Sequence, residues 1–254
     1  MTIIPKSHPR AKSLIIREKL VDGFDKGLVA KEGLLAQGRG EAFDYLLGEI
    51  TGKAAQKAIK AASVLLLQAQ KPVISVNGNI AALCSKELVK LAKITSSKLE
   101  VNLFYGTEER KKAIVKKLKK YGATKIYGTN LSNSTKLNGI DSARRIVDKD
   151  GIYDADVVLV PLEDGDRTMA LKKAGKKIIT FDLNPMSRTA ITADITIVDN
   201  VTRGIELLIN ECKNNKKKPS TNLQKILKNF DNKKNLKLSV LQINSNLKRM
   251  KKIA

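Results

Sequence analysis

The chain is poor in the residues that most often announce a chemistry. It has one histidine and two cysteines among 254 residues. Cys84 and Cys212 lie far apart, and neither has a second cysteine or a histidine at metal-ligand spacing, so neither a disulfide framework nor a zinc site is indicated. Cys84 shares a helical spacing with Leu88 and Leu91, and Cys212 with Ile205, Leu208 and Ile209, which reads as two small buried side chains. No apolar run approaches the roughly 18 residues of a membrane span. The opening through Arg10 is polar, with Pro5 and Pro9 and no signal-peptide core, so a cytoplasmic location is expected. Neither a G-x-x-x-x-G-K-[ST] loop nor a G-x-G-x-x-G after a strand occurs, so the common phosphate cradles are missing.

Acids are scarce as well: 25 Asp and Glu face 48 Lys and Arg, a formal net charge of +23. Such a balance attracts phosphates, anionic membranes or acidic partners. Residues 213–254 carry 13 basic side chains against the single acid Asp231, so +12 of the excess lies there and +11 in the 212 residues before. This tail is rich in Asn and Ile, as a compositional bias would also leave it. A Lys-rich tail suits nucleic acid through counterion release. Yet aromatics are only 4% of the chain and the tail holds just Phe230, so a base-stacking platform is lacking and nucleic acid is not the expected partner.

With 42% hydrophobic residues the chain can bury one substantial core. The first seventy residues read as helical. Leu14, Arg17, Val21 and Phe24 form one stripe between Pro9 and Gly27, and a helix from Thr51 to Gln70 has Thr51 as its expected N-cap. Between them "AQGRGEAF" reads as a turn, with Gly38 and Gly40 flanking Arg39. From Pro72 short apolar runs alternate with amphipathic helices, the pattern of a parallel sheet of βαβ units. Strands are expected at Val73 to Val76, Leu99 to Phe104, Lys125 to Tyr127, Val157 to Leu162, Lys177 to Phe181 and Ile195 to Val198. Leu223, Ile226, Leu227 and Phe230 keep helical spacing in the tail. The expected class is therefore α/β, a Rossmann-like parallel sheet flanked by helices. A helical segment (1–71) precedes the α/β domain (72–212) and a basic helical tail (213–254) follows it.

In an open parallel sheet the ligand crevice lies beyond the carboxyl ends of the strands. Asn77-Gly78-Asn79, Glu163 to Arg167, Asp182-Leu183-Asn184-Pro185 and Asp199-Asn200 follow strands and would share that edge. Asp and Asn side chains accept from ribose hydroxyls or base amines, while Arg17, Arg39 and Arg188 offer forks matched to phosphate oxygens. Each loop taken alone is also what an N-cap or Asx turn looks like. Arg17, on its apolar stripe, either snorkels or faces a ligand. Glu163, Asp164 and Asp166 are candidate Mg²⁺ ligands or else a solvated loop.

At these residues the sequence resembles a known family. "IPKSHPRAKSLIIREKLVDGFDKGLVAKEGLLAQGRGEAFDYLLGE", "VISVNGN", "VPLEDGDR", "TFDLNPMSRTA" and "ITIVDN" look like the archaeal phosphopantothenate synthetases, or 4-phosphopantoate–β-alanine ligases, over roughly Ile3 to Cys212. The resemblance implies a homodimeric enzyme of coenzyme A biosynthesis. It would join 4-phosphopantoate to β-alanine, converting ATP to AMP and pyrophosphate with Mg²⁺. It also implies nucleotide contacts at Arg17, Arg39, Asp182, Leu183, Asn184, Arg188, Thr189, Asp199 and Asn200. For the substrate, His8, Arg10, Lys12 and Asn77 are the candidates, and no general base can be named.

Overall fold

The computed structural model describes residues 4, 5 and 7–250. Three helices open the chain: α1 (Ala11–Asp25), α2 (Lys31–Leu47) and α3 (Lys53–Gln68). The turn expected inside α2 is absent. Gly38 and Gly40 sit within helix α2, which stops instead at Gly48, a left-handed cap with φ +88. Gly33, earlier in α2, serves packing: it lies so close to Asn79 that a Cβ would come within 2.4 Å of its Oδ1. The stripe expected on α1 is also rotated. Leu20 and Gly23 are buried with Ile16 packed beside them, whereas Val21 and Arg17 face solvent. At α3 the cap is Gly52, because the Thr51 hydroxyl donates to Asp199 at 2.6 Å.

The βαβ alternation then unfolds as β1 (Pro72–Val76), α4 (Gly78–Thr95), β2 (Lys98–Val101), α5 (Glu108–Lys120) and β3 (Ile126–Tyr127). Thr107 caps α5 by accepting from the Arg110 amide, with Glu108 and Glu109 in the first turn and lysines in the last, a distribution that suits the helix dipole. No α-helix fills the next crossover. It holds an antiparallel ribbon of β4 (Ser134–Lys136) and β5 (Ile146–Asp148) and a turn over Lys149–Tyr153. This segment is pinned by Glu100 of β2, whose carboxylate accepts from the amides of Asp148 at 3.1 Å and Ile152 at 2.6 Å. The crossover also buries Leu137, Ile140, Val147 and Ile152, but their spacing follows no single helical or strand period.

The second half is β6 (Val157–Leu159), α6 (Gly165–Lys173), β7 (Lys177–Phe181), α7 (Arg188–Thr192), β8 (Ile195–Ile197) and α8 (Val201–Asn215). The six strands pair in parallel in the order β3-β2-β1-β6-β7-β8. Chain order reverses between β1 and β6, and a crevice opens at such a switch point. β2 and β6 are shorter than expected, although Val160 and Leu162 still donate to the carbonyls of Ile179 and Phe181 on β7, and Leu162 adopts φ +56. Ile205, Leu208, Ile209 and Cys212 are buried on α8 as expected, as are Cys84, Leu88 and Leu91 on α4. Burial pushes both thiols up, Cys212 to about 12.

The tail forms α9 (Ser220–Lys228) and α10 (Asn232–Met250), and α10 packs against α2, α3 and α7. Its asparagines are structural. Asn232 donates to the carbonyls of Ala190 and Ala193, Asn235 to Ala54 and Asn246 to Leu46, and Gln242 adds Leu47. The carbonyls of Leu46, Leu47 and Ala193 lie at helix C-termini, where the main-chain ladder leaves carbonyls orphaned. No described helix is long and apolar enough to cross a membrane.

Candidate active site

Beyond the carboxyl ends of β1, β6 and β7 lies a cavity of about 870 Å³. One wall is α2, through Gln37, Arg39, Gly40 and Phe43; the opposite walls are the loops after β6 and β7. Asn77, at the end of β1, holds the switch point together. Its side chain donates to the carbonyls of Pro161 and Leu162 and accepts from the Ile80 amide, so it is a brace and does not line the cavity.

The loop after β7 is built around Asp182. Its carboxylate accepts from the Asn184 amide at 2.9 Å and from the Ser187 hydroxyl, and the Ser187 oxygen then caps α7. Burial pushes the Asp182 carboxyl up, and Arg39 across the cavity is among the groups that oppose the rise. Leu183, Asn184, Arg188 and Thr189 line the same side. Arg188 pairs with Asp166 at 2.9 Å, both exposed, while Thr189 donates to the Glu163 carbonyl. This joins the two loops, and Gly165 allows it: a Cβ there would meet the Arg188 Cβ at 2.6 Å.

The third group escaped sequence reasoning. Glu163 is no solvated acid; its side chain is 1% exposed and forms ion pairs with Arg144 and Arg167. Arg167, wholly buried, also donates to Ser75 of β1 at 3.0 Å, which puts it at the switch point. Burial pulls both guanidiniums down to about 10. Arg144 belongs to the crossover that showed no pattern, and Arg167 passes in sequence for one more polar residue of "EDGDR". A usable signal was its helical phase, since Thr168 and Leu171 beside it are buried. No group of three or more His, Cys, Asp or Glu side chains gathers as a metal site among the described residues.

The sequence profile of the "Phosphopantothenate/pantothenate synthetase" family matches residues 54–246. This chain belongs to that family. It is 50% identical over 251 residues to a 4-phosphopantoate–β-alanine ligase of Thermococcus kodakarensis, covering 98% of this chain and 95% of that protein. It is 48% identical over 250 residues to the protein of the same name from Methanosarcina mazei, with 98% of each chain covered. The family match therefore runs well past Cys212 into the tail, in keeping with helix α10 being packed.

Of the residues expected to bind ligands, this synthetase-family chain gathers Arg39, Asp182, Leu183, Asn184, Arg188 and Thr189 on one cavity, with Glu163, Asp164 and Asp166 beside them. Others lie off it. Asp199 and Asn200 are buried in a network in which Arg203 donates to Asp44 at 2.6 Å and Asp199 at 2.7 Å, and Asn200 donates to Asp44 at 3.0 Å. Burial raises the Asp199 carboxyl, against Thr51 and Arg203. Arg17 donates to Glu41 at 2.9 Å and to Tyr45, both on α2. Arg10 donates to Tyr45 as well, His8 accepts from the Arg10 amide, and Lys12 is exposed. None of these lines the cavity.

Proposed function

We propose that this cavity is the active site of a 4-phosphopantoate–β-alanine ligase that makes 4'-phosphopantothenate for coenzyme A. The carrying observation is that Arg39, Asp182, Asn184 and Arg188, from two distant segments, meet on one cavity beside the switch point of a parallel sheet. A carboxylate is a poor acyl donor. Its oxygen attacks the α-phosphorus of ATP, pyrophosphate leaves, and an acyl adenylate forms. The β-alanine amine then adds to the acyl carbon, AMP leaves with the electron pair, and the ammonium proton passes to solvent or a base. Positioning and charge neutralisation carry most of such a reaction.

In this reading Asp182 and Asn184 accept from the nucleoside, and Arg39 and Arg188 face the phosphates. Arg17, Asp199 and Asn200 act at one remove. All three brace α2, and with it Arg39, against α1 and the loop after β8. For Mg²⁺, Asp164 and Asp166 fit as the one or two carboxylates such an ion takes alongside substrate phosphates. Glu163 is buried between two arginines, whereas Asp164 and Asp166, each paired with one arginine, are exposed. The ion would offset triphosphate charge. Homodimerisation is part of the proposal, in line with the exposed Leu35 on α2 and Leu241 and Leu247 on α10.

The test is product analysis with ATP, Mg²⁺, 4-phosphopantoate and β-alanine. AMP, pyrophosphate and 4'-phosphopantothenate should appear in equal amounts. ADP would replace the adenylate by an acyl phosphate, and no turnover would remove the reading.

A further inference from the structure

Arg167 is the most enclosed cation on the cavity wall, and its hydrogen bonding is incomplete. Nη1 donates to Ser75 and Glu163, while Nε and Nη2 find no partner among the described residues. A buried donor left unmade is costly, and a buried guanidinium more so. Its nominal counter-charge is shared, because Glu163 also pairs with Arg144. The other neighbour of Arg144 is Asp164, which is 55% exposed, so water screens its charge. Glu100, which also offsets Arg167, is itself pushed up to about 7 by burial and is partly neutral at neutral pH. One buried edge of the guanidinium is thus left with neither an acceptor nor a full counter-charge of its own. Nε and Nη2 are the edge that pairs in a fork with two oxygens of a tetrahedral oxyanion.

We infer that Arg167 holds the phosphate monoester of the substrate at the β1–β6 switch point, with Arg144 acting as a positioning residue that draws off Glu163. The inference rests on the ligase reading above. Three anions enter that reaction, and the geometry favours one. The nucleotide candidates lie along the loop after β7 and on α2, whereas Arg167 is tied to β1. The reacting carboxylate must keep an oxygen free to attack, and a two-pronged clamp would withhold it. The phosphate at the far end does not react, so binding energy spent there serves to position the carboxylate. Arg144 is held for its part by Asn102, which donates to the Arg144 and Ile146 carbonyls, and by the Phe104 ring 5.9 Å from its guanidinium.

The experiment compares 4-phosphopantoate with pantoate, which lacks the phosphate. With the unmodified protein, calorimetric titration without ATP should show 4-phosphopantoate binding at least about tenfold tighter. In Arg167→Lys and Arg167→Gln, the KM for 4-phosphopantoate should rise roughly 10- to 100-fold and the preference over pantoate should fall by a like factor. The KM for ATP should hold. Equal binding of the two ligands by the unmodified protein overturns the inference even if no variant folds. So does a variant that keeps its preference, or one whose loss falls on ATP. Absence of AMP formation by the unmodified protein would instead overturn the ligase reading, leaving the titration to report phosphate binding by itself.

Discussion

Replacing Arg203 with methionine keeps an unbranched side chain and removes the positive charge that Asp44 and Asp199 share. The two acids are 5% and 1% exposed, and the arginine side chain 24%. Removing one partner of a buried pair costs roughly 3–5 kcal/mol, because a carboxylate is stranded in low dielectric. Here two would be stranded, yet Thr51 still donates to Asp199 at 2.6 Å and Asn200 to Asp44 at 3.0 Å. Those bonds and the partial exposure of Arg203 argue for the lower end, about 3 kcal/mol, or a Tm drop of roughly 6–12 °C in a chain of this size. The loss should depend on pH. Burial already raises the Asp199 carboxyl in the folded protein, and losing Arg203 raises it further. A native state that holds its proton above the unfolded pKa loses stability as pH rises through that window and regains it on acidification. Urea unfolding of both proteins at pH 7 and pH 5 would measure this. The deficit should be near 3 kcal/mol at pH 7 and smaller at pH 5. A deficit below about 1 kcal/mol, or one that grows in acid, would refute the assignment of the network as a buried charge clamp.

Other consequences are simpler to test. Arg39→Ala should lose ligase activity with a stability change within about 0.5 kcal/mol, as for an exposed ligand contact, and unchanged turnover would remove Arg39 from the site. Gly78→Ala should destabilise by roughly 1–3 kcal/mol in chemical denaturation, because its Cβ would lie 2.2 Å from the Leu28 carbonyl oxygen, which backbone packing prevents from yielding. Truncation after Cys212 removes the buried Leu223, Leu236 and Ile243 and the asparagine bonds, so the shortened chain should lose its cooperative melt. A truncated protein melting within a few degrees of the full chain would make the tail an appendage. Titration with mixed RNA should show no sub-micromolar, salt-sensitive binding; such binding would reopen the nucleic-acid reading.

The sheet was legible because strands buried on both faces need continuous apolar runs, and Lys177 to Phe181 reads and folds alike. Helix phase was less legible. On α1 the core takes Leu20 and Gly23 where the apolar count pointed to Leu14 and Val21, since small residues let α4 approach and the count ignores them. The break read at Gly38-Arg39-Gly40 failed because a glycine is punctuation only where the chain needs φ above zero, and neither glycine does so within α2. That the loops after β6 and β7 line one cavity followed from a rule about strand ends that needs only local sequence. The Arg144–Glu163–Arg167 cluster did not, because it joins a patternless crossover to the other half of the chain. Nothing local marks Arg144, whose carboxylate partner Glu163 comes from the loop after β6, whereas Arg167 lies four residues after Glu163 and had at least its helical phase.

The charge balance that first suggested nucleic acid divides by side-chain type. The 48 basic residues are 38 lysines and 10 arginines. On α5 and the tail helices the lysines sit largely on solvent faces, where a compact, strongly hydrated ammonium costs little. Of the arginines, Arg39 and Arg188 on the cavity and Arg17 on α1 are exposed, whereas Arg203 is half-buried and Arg144 and Arg167 are buried against carboxylates. A guanidinium tolerates such places because it stays charged, is weakly hydrated and spreads its donors over a plane. Arg→Lys exchange should therefore be costly at the cavity and in the α2 clamp. Lys→Arg exchange on α5 or α9 should be close to neutral, since there the charge is screened and the shape of the donor meets only water.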